Sequence, residues 1–233
     1  MEQKKRINIP DSWYNKLKHF IESDEMTKVG SVVKERRKHT EVFPPNEEIF
    51  RAFQLTPYRD VRVVVIGMDP YPTLYQNKPV ACGLSFAPRD RNYVPPSLRQ
   101  IYKRIKADFY PDEMMFEVDL DMEYWAKQGV LMLNAALTVE HGKPGSHMKL
   151  WSNWTKEVIF ALNEYSSGVI FCLWGKDAQA FESNIGSHHI VLKAEHPVAA
   201  NYAGRQWECD HFKQINKHLM GVNGDSIEWI KLP

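Results

Sequence analysis

Cysteine is scarce in this chain of 233 residues: Cys82, Cys172 and Cys209 are the only three, far apart and without a C-x-x-C pair. That usage excludes a disulfide framework, a structural zinc or an iron–sulfur cluster and leaves reduced thiols. Apolar runs are short as well. None approaches the roughly 20 residues that a membrane-spanning helix needs, and the opening MEQKKRINIP lacks the apolar core of a signal peptide. A soluble, intracellular protein is expected, cytoplasmic, or nuclear if the source is eukaryotic or viral. Neither sign of charge is in surplus. With a net charge of +1, any nucleic-acid partner would have to be held by a local basic patch. The densest such run, KERRK from Lys34 to Lys38, reads as the solvated face of a helix. G-x-S-x-G, H-E-x-x-H and a Gly-rich phosphate loop after a strand are also missing, which sets aside acyl transfer, zinc hydrolysis and nucleotide-dependent phosphoryl transfer. His188-His189 and the pair His141/His147 have no cysteine or carboxylate at ligand spacing, so no metal is expected.

What the chain does contain is an alternation of strands and helices. Four short apolar segments, Arg62–Ile66, Val130–Leu133, Val169–Trp174 and Ile190–Leu192, read as strands. Segments with apolar residues three and four apart lie between and after them: roughly Ser97–Ala107, Asp119–Lys127, Trp151–Tyr165, Lys176–Asn184 and Cys209–Leu219. That order predicts an α/β protein, a three-layer αβα arrangement with a central four-stranded, mostly parallel sheet, preceded by a helical N-terminal region over about residues 10 to 55. One domain covering 1–233 is expected. In VPPSLRQIYK, Ser97 and Gln100 stand at capping-box spacing after two prolines, a helix-start signal.

Polar residues follow the ends of these strands. The first runs into Gly67-Met68-Asp69-Pro70, the second into Asn134, the third into Gly175-Lys176, and the last, three residues on, into His196-Pro197. In open parallel sheets the ligand crevice lies outside the carboxyl ends of the strands, so Asp69, Asn134 and His196 are expected to converge. Gly67 permits a sharp turn, and Pro70 and Pro72 hold Asp69 and Tyr71 extended. Taken singly, each candidate has a plainer role: Asp69 as a turn former, Asn134 as a strand terminator, His196 as a structural imidazole, Phe86 and Tyr71 as core aromatics. Taken together, a fixed carboxylate orients water and faces positive charge, a histidine donates to a leaving group, and a carboxamide reads a planar polar ligand.

These motifs resemble the uracil-DNA glycosylases of the principal, uracil-specific family, from about EVFPPNEEIFRAF to CDHFKQIN. GMDPYP is similar to that family's water-activating loop, GLSF to the segment with its stacking phenylalanine, and PPSL to its proline-rich loop. GVLMLNAALTV matches the strand bearing the uracil-reading asparagine, LWGKDAQ the glycine-serine loop, and HPVAAN the loop that inserts into DNA. The resemblance implies that Asp69 handles the attacking water, His196 bonds uracil O2, Asn134 reads the Watson–Crick edge, Phe86 stacks on the base and Tyr71 blocks a 5-methyl group. The Met68 backbone amide would bind uracil. Pro95, Pro96, Ser97, Gly175, Lys176, Pro197, Val198, Ala199 and Ala200 would contact DNA. It further implies a metal- and cofactor-free monomer acting on uracil in single- and double-stranded DNA, and an inhibitor protein that mimics DNA as a further partner.

The departures fall inside the motifs. Met68 stands for the usual glutamine, Pro72 for a histidine, Val198 for a phosphate-binding serine, Ala200 for the intercalating leucine and Ala203 for an arginine, while Lys176 adds a charge where a serine is usual. An aliphatic residue and a proline in the DPYP loop, with an HPAA-like insertion loop, are similar to the poxviral branch. A methyl group fills little of the space left by a flipped base, so either weaker DNA distortion or a wedge from a neighbour such as Tyr202 or Arg205 is expected. The loss of phosphate and wedge residues keeps open an alternative, a DNA-binding or replication-associated protein on a glycosylase scaffold with weak or lost catalysis.

Overall fold

The computed structural model describes residues 7–110, 122–164 and 168–230. Two helices open it, α1 (Asp11–Ile21) and α2 (Asp24–Arg36). Trp13, Leu17 and Phe20 put one buried stripe on α1, and Ser23 caps α2 by accepting the Met26 amide at 3.2 Å. A short strand β1 (Val42–Phe43), a 3-10 turn and helix α3 (Arg51–Leu55) complete the N-terminal region. Then follow β2 (Val63–Gly67), the hairpin β3 (Leu74–Tyr75) and β4 (Lys78–Pro79), α4 (Pro96–Phe109), α5 (Met122–Lys127) and β5 (Val130–Asn134). The chain continues with β6 (Val139–Glu140), α6 (Met148–Asn163), β7 (Ile170–Trp174), α7 (Lys176–Gln179), β8 (Ile190–Ala194), α8 (Pro197–Tyr202) and α9 (His211–Asn223).

The central sheet has the order β5-β2-β7-β8, with every neighbouring pair parallel. β2, β5 and β7 are buried at all positions, as their almost entirely apolar sequences require, because helices cover both faces of the sheet. The crossovers β2→β5 and β5→β7 run in opposite directions, so right-handed connections place α4 and α6 on opposite faces. Accordingly α4 packs with α8 and α9, and α6 with α1 and α2. The switch in direction occurs beside β2, which puts the ends of β2, β5 and β7 around one crevice.

Several expectations shift at the element ends. Pro95, rather than a capping box, starts α4, because Ser97 and Gln100 are used elsewhere: Ser97 Oγ meets the Tyr71 hydroxyl at 2.9 Å, and Gln100 bonds Trp207 N and Arg205 O. The helix expected over 176–184 is the short α7 followed by a 3-10 turn at Glu182–Asn184. The chain is diverted there by Asn163, whose side chain holds Asn184 O and Gly186 N. The segments expected at Asp119–Lys127 and Trp151–Tyr165 fall partly outside the described residues, and their described parts belong to α5 and α6.

Candidate active site

Gly67 closes β2 in register with Asn134 on β5. A Cβ on Gly67 would sit 2.8 Å from Asn134 Oδ1, 3.1 Å from Ser85 Cβ and 3.3 Å from Phe86 Cε2. Its backbone is not left-handed, so the glycine is there for space rather than for a turn, a correction to the sequence expectation. Asn134 is 5% exposed, yet its carboxamide has no hydrogen-bond partner among the described residues and neither of its polar atoms is sealed from solvent. A buried amide with unspent donors and an acceptor at the floor of a crevice can read a flat polar ligand.

Phe86 stands beside it. Its φ of +61° is in the left-handed region, costly for a bulky side chain and a mark of a constrained position. Neighbouring bonds hold it there. The Tyr71 hydroxyl donates to Phe86 O at 3.0 Å and pairs with Ser97 Oγ, while Ser85 N donates to Met132 O at 3.1 Å. The ring leans on Trp174 at 5.3 Å and on His196 at 5.6 Å between centroids. Burial drives the Tyr71 pKa far above the ordinary phenol range, so this hydroxyl keeps its proton and its bond to Phe86 O.

Asp69 follows two residues after Gly67. Desolvation raises its carboxyl pKa to about 6, opposed by a 2.6 Å bond from the Gly145 amide and assisted by the negative charge of Asp177. Gly145 has a φ of +76°, and a Cβ there would press on Met68 Cε at 3.1 Å. Met68, expected to work through its backbone amide, thus packs its side chain over the loop that holds Asp69. On the other side of the crevice, His196 caps α8 by accepting the Val198 amide on Nδ1 at 3.2 Å. Burial lowers its pKa, so the ring is neutral near pH 7. A ring nitrogen that accepts carries no proton, which leaves Nε2–H as a fixed donor. Gly175, with φ +95°, lets the β7–α7 loop pass His196 where a Cβ would come within 2.9 Å of the imidazole's own Cβ.

The rim differs from its expected composition. Lys176 and Ala199 are exposed, and Pro96, Gly175 and Val198 are half-buried, all open to an approaching strand. Ser97, Pro95, Pro197 and Ala200 are not: Ala200 is wholly inaccessible and Ser97 is turned onto Tyr71. Their side chains hold the loops in place, because α8 lies against α4 and buries the face of its one turn that carries Ala200. The large exposed apolar side chain of α8 is Tyr202, 81% accessible, whereas Arg205 is drawn into an ion pair with Glu195 at 2.6 Å. Sequence reasoning missed Gly145 and Asp177. The Pro144-Gly145 turn was visible, but a backbone amide leaves no side-chain signature.

A parallel α/β sheet whose strand ends gather a desolvated carboxylate, a neutral imidazole donor, an unspent carboxamide and a braced aromatic ring defines an enzyme class that binds a flat heterocycle and works by acid–base and electrostatic means. Comparison with known proteins narrows this. Residues 53–220 match the family model described as "Uracil DNA glycosylase superfamily", and the chain belongs to that family. It is 42% identical over 200 residues to a Coxiella burnetii uracil-DNA glycosylase, covering 85% of this chain and 84% of that one. A Vibrio vulnificus uracil-DNA glycosylase is 37% identical over 222 residues, covering 94% and 90% respectively. The crystal structure of mimivirus uracil-DNA glycosylase shares the fold, with a TM-score of 0.83 at 23% identity over 95% of this chain and 87% of that chain.

Proposed function

We propose that the protein is a monofunctional uracil-DNA glycosylase of base excision repair. It takes uracil from single- or double-stranded DNA, acts as a monomer, and leaves free uracil and an abasic site without metal or cofactor. The observation that carries the assignment of roles is the pairing of Asn134, unspent, with His196, whose Nδ1 is already satisfied. Uracil flipped from the stack would lie on Phe86, with its Watson–Crick edge toward Asn134 and a carbonyl toward His196 Nε2–H. The C1′–N1 bond breaks with its electron pair moving to uracil N1. Water adds to C1′, and its proton passes to Asp69, whose negative charge also faces the oxocarbenium-like sugar. The neutral histidine then supports the uracil anion by donation alone. Tyr71, locked between Phe86 O and Ser97, would restrict substituents at C5.

The same edge is open to a protein that imitates DNA, and a variant of the mimivirus enzyme has been crystallised in complex with UGI. A direct test incubates the protein, at low salt and in excess, with oligonucleotides carrying one uracil, then cleaves abasic sites with alkali. Strand scission together with released uracil is expected from both single strands and duplex. The absence of scission above a no-protein control would leave the DNA-binding scaffold as the better account.

A further inference from the structure

We infer that the cleft between the β3–β4 hairpin and the loop at 89–93 is a second nucleic-acid subsite, which takes the single-stranded DNA flanking the extruded nucleotide. The inference rests on the glycosylase function proposed above. The cleft has a volume of about 400 Å³ and is lined by Tyr75, Lys78, Arg89, Arg91 and Tyr93 among others. Tyr75 and Tyr93 stack at 4.6 Å between centroids and 25° between planes, whereas the aromatic pairs of the core meet edge-on or tilted. Both rings are half-buried and line the cleft, so the stacked pair can be reached from it.

Charge is placed beside that surface. Lys78 is exposed and has no ion pair among the described residues, and Arg91 is exposed as well. Arg89 instead fixes the loop to the hairpin, binding both Glu48 carboxylate oxygens, at 2.7 and 2.5 Å, and the carbonyls of Pro79 and Ala81. The acid in the lining, Asp90, is turned into its own loop, where it accepts from Asn92 N and Nδ2. Gln76 and Asn77, with φ of 49° and 61°, make the tight two-residue turn that holds the hairpin upright. An aromatic platform beside exposed cations is how proteins hold single strands without reading sequence: bases stack and phosphates are neutralised.

The cleft adjoins the proposed pocket. Tyr75 follows Tyr71 by four residues, Tyr93 precedes Pro95 by two, and Tyr93 lies near enough to Tyr71 to disfavour its ionisation. A strand leaving the pocket along this side would meet the stacked rings first.

The experiment compares a trinucleotide with a central uracil against oligonucleotides extended from it on the 5′ side only or the 3′ side only. Tyr75→Ala and Lys78→Ala are each expected to raise KM about tenfold for one of the two extended series, with kcat unchanged and the trinucleotide unaffected. Lys78→Ala should also reduce the slope of log affinity against log salt by about 0.7 on uracil-free single strands, read by fluorescence anisotropy. Lys78 is an exposed lysine, so its variant folds even if the tyrosine variant disturbs the hairpin. Equal losses on the trinucleotide and the extended substrates would make the cleft merely structural. Unchanged KM for both extended series, with an unchanged salt slope, would overturn the subsite while leaving the glycosylase intact. If the unsubstituted protein cleaves none of the three substrates, the glycosylase function itself fails, and the subsite with it.

Discussion

Around the ends of β2 and β5 and at the N-cap of α8, each side chain given a role in the proposed chemistry is held by a neighbour's bulk or a backbone bond, whereas farther along α7 and α8 the exposed side chains stand largely alone. The pocket is tight: Asn134 against the bare face of Gly67, Phe86 pinned by Tyr71, His196 by Val198 N, Asp69 by Gly145 N. The rim is loose: Lys176 and Ala199 face solvent, and Tyr202 projects from the end of a one-turn helix. The difference fits what each region is proposed to recognise. A small rigid base rewards pre-set geometry, while a flexible charged polymer is held by contacts that adapt to it.

The comparison is tested most severely at Asp69. In the proposed mechanism Asp69→Asn removes the charge that would face the sugar cation, and it is expected to lower kcat on the order of 100- to 1000-fold. The same change should stabilise the protein. The folded-state pKa of about 6 lies above the ordinary 3.8, so the folded state loses stability as pH rises between them, and the penalty is complete at neutral pH. Relieving it is worth about 1–3 kcal/mol, read as a higher Tm at pH 7 and an unchanged one at pH 3.5. In the unsubstituted protein kcat/KM should climb with pH through about 6 as the carboxylate ionises. A flat profile from pH 5 to 7 would remove Asp69 from the mechanism.

Gly67→Ala probes tightness without touching a reacting group. Its Cβ displaces the Asn134 carboxamide, and a loss of about 100-fold in kcat/KM is expected on every substrate, single-stranded or duplex. A loss confined to duplex would place Gly67 in the rim. Tyr202→Ala should do the reverse, slowing duplex about tenfold and leaving single strands unaffected, since only a duplex has a gap to fill. Ala200→Leu has the smallest expected effect on catalysis. The leucine would be forced into the α4–α8 contact, costing about 1–3 kcal/mol of stability with no selective gain on duplex. Duplex-specific acceleration by this variant would mean that Ala200 faces DNA after all.

The central strands were legible because burial on both faces writes itself into sequence as short runs of apolar residues without polar alternation. The candidate site was legible to the extent that it lies at strand ends, where Asp69 and Asn134 stand out against apolar runs. Three things were hidden, each for a physical reason. Ala200 and Ser97 are small enough to serve inside or outside, and only the packing of α8 on α4 and the reach of Tyr71 decide which. Gly145 acts through its amide, which every residue but proline possesses. Gln100 matched a local capping pattern, but its tertiary bonds to the 205–207 segment were the stronger use of its side chain.

The left-handed backbone at Phe86 has a thermodynamic corollary. The conformational cost of that residue is met when the chain folds and is shared by the free and liganded protein, so it does not enter the association equilibrium. Glycine at this position would relax the backbone by about 1–3 kcal/mol but forfeit the buried ring's packing on Trp174 and His196, worth about 3–5 kcal/mol, so it would lower stability as well as erase the platform. The ring is therefore a component whose strain resides in the apo state, and free uracil should bind with little ordering entropy and with heat that is chiefly that of contact.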